Sequence, residues 1–180
     1  DGSINYAYTA FGEKPNKNLA YMASCVNFII GFAHLYLSVR YKAKFMIALI
    51  LGTFFEGLGY ATRIGSINNP FDIGMFAGQQ SLIVISPVFI CATQYVILGK
   101  LINCVDSKLS PIPPKWIASL FVSSDILSFI IQGAGSGVLL SSPSLFDTGL
   151  KLLMVGLVIQ AISFVAYLGI AGVFYRRASL

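Results

Sequence analysis

The sequence predicts an all-α protein, a polytopic bundle of five transmembrane helices, and three observations carry that prediction. The 180 residues are 56% hydrophobic and only 11% charged, against roughly 25% charged in a soluble domain. The apolar residues gather into five runs, each about as long as the ~20 residues that cross a ~30 Å hydrocarbon core. Within the runs the few polar residues recur at helical spacing, so they line one face of a helix instead of scattering towards lipid.

Taken in order, residues 1–18 are polar and aromatic and read as an extracellular N-terminal segment at the interface. The bundle occupies residues 19–177. Its first span, 19–39, carries Ser24, Asn27, Gly31, His34 and Ser38 on one stripe, and Arg40, Lys42 and Lys44 follow in a short loop. The second span, 45–64, places Glu56, Tyr60 and Arg63 on one face. A polar loop holding Asn68, Asn69, Pro70 and Asp72 leads to the third span, 80–101. There Pro87 is expected to kink the helix because it removes a backbone donor, with Cys91, Gln94 and Tyr95 one to two turns further on. The loop 103–115 holds three prolines and leads to the fourth span, 116–140. The fifth, 149–175, carries Gln160, Ser163 and Tyr167 on one face. Five spans are expected to make one domain.

The fourth span holds the most informative stretch, DILSFIIQGAGSG from Asp125 to Gly137. Asp125, Ser128, Gln132 and Gly135 stack on one face. A carboxylate in hydrocarbon costs from about 2.5 to more than 10 kcal/mol, so it faces protein or a polar cavity. Gly133 and Gly137 form GxxxG, a surface for close helix packing, and the outer glycines, Gly135 among them, also allow bending.

Net charge is +5, but the basic residues sit in short clusters between apolar runs, so nucleic acid is excluded as a partner. One set of loops and ends holds eight of them (Arg40, Lys42, Lys44, Lys100, Lys108, Lys115, Arg176, Arg177) and the other holds four (Lys14, Lys17, Arg63, Lys151). The positive-inside bias then places the N-terminus outside and the C-terminus in the cytosol.

The neutral polar residues Asn27, Ser128, Gln132 and Gln160 read first as interhelical hydrogen-bond glue. The ionisable Glu56, Arg63 and Asp125 point instead to function. His34 is expected to lie at a depth similar to Asp125. A contact between the two would serve a proton relay or, more simply, a structural salt bridge. Cys25, Cys91 and Cys104 form no CxxC pair and read as buried, unreactive thiols. The Gly133–Gly137 glycines lack the strand and the Lys-Ser/Thr of a P-loop. No HExxH, GxSxG, DxD or Cys/His cluster is present, so no enzyme, metal or cofactor is expected.

Three strings carry a resemblance: FFEGLGYATRIGS (54–66), SPVFICATQYVILGKLI (86–102) and SSDILSFIIQGAGSG (123–137). They resemble the signature segments of the fungal lipid-translocating exporter family, linked to aminocholesterol resistance and to release of sphingoid long-chain bases. The N-terminal YAYTAF…PNKN and the later GLVIQAISFVAY are similar as well, so the resemblance covers nearly the whole chain. By position it implies roles for Glu56, Gly59, Tyr60 and Arg63; for Pro87, Ala92, Tyr95, Leu98 and Gly99; for Asp125, Ser128, Gln132, Gly133 and Gly135; and for Gly156, Leu157 and Gln160. Two departures stand out. The family's Pro-Ser after the N-terminal tyrosines is here Thr9-Ala10, and the family has seven spans where this chain holds five. A chain that also begins at Asp1 is expected to be part of a longer protein.

The resemblance implies an integral plasma-membrane protein that moves sphingoid bases, phospholipids or toxic lipophiles between leaflets. Membrane lipids are then the partners, with a homo-oligomer or a second membrane protein as further candidates. Seven spans with an outside N-terminus also describe a receptor-like lipid sensor, and an accessory subunit of a larger complex is the third alternative.

Overall fold

A computed structural model describes residues 11, 15–141 and 143–179. Among these every regular element is helical: α1 (Lys17–Tyr41), α2 (Ile47–Asn68), α3 (Ile73–Val105), α4 (Pro114–Ser141) and α5 (Phe146–Ala178), with 3₁₀ turns at Lys44–Met46, Ser107–Leu109 and Pro143–Leu145. All five helices are long and apolar enough to cross a membrane.

Local chemistry sets the ends. Asn16 caps α1, its Oδ1 accepting from the amides of Asn18 at 3.0 Å and Leu19 at 3.3 Å. Lys42 closes α1 in the left-handed region at φ 52°, and the Ala43 amide reaches back to the Ser38 carbonyl at 3.0 Å, the bonding of a Schellman cap. Pro114 is the first residue of α4, where its missing N–H would be unpaired anyway. The long polar loop expected between the second and third spans shrinks to residues 69–72. Asp72 explains the correction, because its Oδ1 accepts from the Met75 amide at 3.0 Å and starts α3 seven residues before the apolar run. α3 then stays helical through Pro87, which leaves the Ile83 carbonyl without its usual donor.

The chain divides at Pro87 into two compact units, Asp1–Pro87 and Val88–Leu180. In the first, α1 and α2 meet where the Ser24 hydroxyl donates to the Gly57 carbonyl at 3.0 Å. Phe54 packs between Phe28 and Phe32, at centroid separations of 6.0 and 5.1 Å. The Ser86 hydroxyl ties the start of α3 to α2 through the Gly52 carbonyl at 2.7 Å.

The second unit is built from the end of α3 with α4 and α5, around Tyr95, Leu98, Ile102, Ile117, Phe121, Tyr167 and Phe174. Two glycines let α4 and α5 touch backbone to backbone. A Cβ on Gly135 would lie 2.7 Å from the Leu153 nitrogen, and one on Gly156 would lie 2.9 Å from the Ser128 oxygen. Gly133 and Gly137, expected from their GxxxG spacing to make this contact, face open space among the described residues. They sit about 200° around the helix from Gly135, on the opposite side.

Burial is inverted relative to a soluble protein. Ile29 is 69% exposed and Val165 is 66% exposed, whereas Gln79, Ser86 and Ser128 are wholly buried. An apolar exterior of this extent is stable only where lipid replaces water. The cysteines depart from expectation: Cys25 and Cys104 are exposed and Cys91 is half-buried, all with free thiols. On an exterior facing lipid, a thiol is as well placed as a small apolar residue.

Candidate functional site

Asp125 anchors the candidate site in the second unit. It is 1% exposed, and its Oδ2 accepts from the Tyr95 hydroxyl at 2.9 Å. Its Oδ1 is buried without a partner among the described residues. The Tyr95 ring is held edge-on by Tyr167 at 4.8 Å between centroids and tilted against Phe121 at 5.2 Å. Tyr167 in turn donates to the Gln94 carbonyl at 3.2 Å. Three helices thus fix one phenol, and the phenol fixes the carboxylate. Removing the hydroxyl in Tyr95→Phe strips Asp125 of its donor, and chemical or thermal unfolding of the purified protein should show a loss of about 1.5–3 kcal/mol.

Along α4, Ser128 and Gln132 follow Asp125 on the same face and extend the polar ladder about 10 Å, a third of the hydrocarbon thickness. The Gln132 Nε2 donates to the Gln160 Oε1 of α5 at 3.2 Å, while the Gln132 Oε1 is buried with no partner among the described residues. Beside the ladder a groove of about 290 Å³ opens between α4 and α5, walled by Leu120, Phe121, Ile159 and Ile162. Ser124 and Ser163 supply its hydroxyls, and the Ser163 Oγ is buried with no partner among the described residues.

In the first unit Glu56 is half-buried on α2. The Ser86 hydroxyl reaches its Oε2 at 3.3 Å but lies closer to the Gly52 carbonyl. One hydroxyl carries one proton, so Glu56 shares its donor with the Gly52 carbonyl. Tyr60 and Arg63 lie further along the same helix, beside a pocket with Asn16, Leu19, Ala20, Gln80 and Ile83. The Arg63 guanidinium stands 5.4 Å from the Phe11 ring centre.

Some expected roles change. Asn27 and Ser128, expected as interhelical glue, bond back into their own helices, to the carbonyls of Ala23 at 3.0 Å and Ser124 at 2.9 Å. Each has an acceptor within reach one turn back, which satisfies the group locally. His34 is half-buried on α1 with Nδ1 unpartnered. Its expected contact with Asp125 would join residues of different units, and the partner found on that carboxylate is Tyr95. The bonds from Ser24, Ser86 and Tyr167 to main-chain carbonyls were not foreseen. An acceptor that is a carbonyl leaves no mark in the sequence. Among the described residues no three His, Cys, Asp or Glu side chains gather to hold a metal ion.

An apolar exterior around buried carboxylate, amide and hydroxyl groups defines an integral membrane protein of the polytopic helical class. The chain belongs to the RTA1-like family: residues 49–179 match the model described as RTA1 like protein. It is the fungal family that the three signature segments resemble. The chain is 33% identical over 129 residues to Protein RTM1 of Saccharomyces cerevisiae, covering 71% of this chain and 41% of that protein. It is 34% identical over 119 residues to Protoporphyrin uptake protein 1 of the same yeast, covering 66% and 39%. It is 33% identical over 128 residues to the Sphingoid long-chain base transporter RSB1, also of Saccharomyces cerevisiae, covering 69% and 34%. The chain therefore spans between 34% and 41% of the length of these relatives. No solved structure matches it.

Proposed function

We propose that the chain is part of a plasma-membrane translocator, not an enzyme, that carries amphipathic lipids with a cationic head, of the sphingoid-base kind, between leaflets. The observation that supports this most is Asp125: a carboxylate buried among apolar helices, held by one phenol, with its second oxygen unpartnered. An ammonium group fits such an acceptor, because a charge-assisted hydrogen bond is roughly twice as strong as a neutral one. The ladder through Ser128, Gln132 and Gln160 offers the head its next polar contacts, and the neighbouring groove keeps the chain in apolar surroundings. Glu56, which shares the Ser86 hydroxyl with the Gly52 carbonyl, is a second acceptor in the first unit. The name of RSB1 points to the same substrate class. From the bias of basic residues we place the N-terminus outside and the C-terminus in the cytosol.

Vesicles holding the full-length protein test the head-group requirement. After subtraction of protein-free vesicles, a sphingoid base should cross roughly tenfold faster than its N-acetylated counterpart, which keeps the chain and loses the charge, a ratio worth about 1.4 kcal/mol. Equal rates would remove the carboxylates from the mechanism.

A further inference from the structure

We propose that the pocket around Arg63 is a binding site for a phosphate group, with the head of a membrane phospholipid as its source. The pocket lies at the end of the first unit that carries the start of α1, the close of α2 and the start of α3. Its volume is about 240 Å³, below the roughly 300–1,000 Å³ of a drug-sized site and suited to a head group alone. Arg63 stands five residues before the end of α2 at Asn68, hence about 7.5 Å from that terminus. The head-group layer on each side of a bilayer is roughly 5–8 Å deep, and an arginine this near a helix end reaches that layer by snorkelling.

The chemistry of the lining selects an anion. Among the described residues Arg63 makes no salt bridge or hydrogen bond, and its one marked neighbour is the Phe11 ring. A ring against the cation still leaves donors of the planar guanidinium for a bidentate acceptor. Tyr60 and Gln80 line the same pocket, with no hydrogen bond among the described residues. Asn16 spends its Oδ1 on the Asn18 and Leu19 amides, which leaves its amide nitrogen as a donor. Among the described residues the nearby carboxylates are otherwise placed. Asp72 caps α3, and Glu56 lies about 10 Å deeper, two turns along α2. Four donor-bearing side chains, with no carboxylate among the described lining residues, suit phosphate, whose oxygens match the guanidinium fork. This inference does not depend on the transport proposal, because binding is read without flux.

The test is equilibrium binding of radiolabelled dioctanoyl phosphatidic acid to the full-length protein in a neutral maltoside detergent. Saturable binding is expected, weakened about tenfold or more in Arg63→Gln and less in Arg63→Lys, which keeps the charge but loses the fork. Tyr60→Phe should weaken it severalfold. Lys42→Gln and Lys44→Gln, at the other end of the same unit, should leave it unchanged. Inorganic phosphate competing only at far higher concentration assigns the site to a lipid head; equal potency assigns it to free phosphate. Unlabelled dioctanoylglycerol competing as well as the phosphatidic acid would overturn the proposal, as would unchanged affinity in Arg63→Gln. If Arg63→Gln is not monodisperse, Arg63→Lys and Tyr60→Phe decide: undiminished binding in both overturns the site.

Discussion

Alanine at Gly135 is expected to force α4 and α5 apart, while alanine at Gly133, two residues earlier, is expected to be neutral or stabilising. A methyl on Gly135 meets the Leu153 nitrogen at 2.7 Å and the Gly149 oxygen at 2.9 Å. Both are main-chain atoms, so no side chain can rotate away, and the helices themselves must separate. Overpacking of this kind costs about 1–3 kcal/mol. Gly156→Ala should behave like Gly135→Ala, because its methyl would meet the Gln132 side chain and the Ser128 carbonyl. At Gly133 nothing lies within 4 Å, and alanine gains up to about 1 kcal/mol of helix propensity. Thermal unfolding of the purified protein in detergent separates the cases. An equal loss at both positions would mean that the Gly133 face is packed too, as its GxxxG spacing first suggested.

Asparagine at Asp125 is expected to abolish most lipid movement while leaving the bundle folded. The amide keeps the shape of the carboxylate, and its oxygen still accepts from the Tyr95 hydroxyl. What it loses is the charge that the proposed mechanism assigns to meeting a cationic head. Flux should therefore fall about tenfold or more, with the unfolding temperature little changed. Tyr95→Phe is the complement, because it keeps the charge and removes the group that positions it. A variant at Asp125 that unfolds as readily as it loses flux would show a structural carboxylate and would leave Glu56 as the remaining acceptor.

The five spans were legible because hydrocarbon is an undiscriminating solvent: it asks only for some twenty apolar residues in a row. Positions of polar residues were legible for a related reason, since the 3.6-residue period sorts them onto faces without knowledge of neighbours. Partners were harder. Tyr95 and Asp125 lie 30 residues apart on different helices, and no spacing rule links them. Gly133, Gly135 and Gly137 were all legible as packing glycines, but they share one short stretch, and only the neighbouring helix decides which of them faces it. The start of α3 was missed because Asp72 is a common loop residue until its carboxylate is seen on the Met75 amide. Arg63 was visible as a charge near the interface, but its pocket draws on residues from three helices.

The most direct test is transbilayer movement of a labelled sphingoid base in vesicles reconstituted with the full-length wild-type protein, against matched protein-free vesicles. Direct translocation predicts movement well above the protein-free rate, proportional to the protein incorporated. Folded, correctly inserted protein that binds the base without moving it would contradict translocation and identify a lipid sensor or an accessory subunit instead.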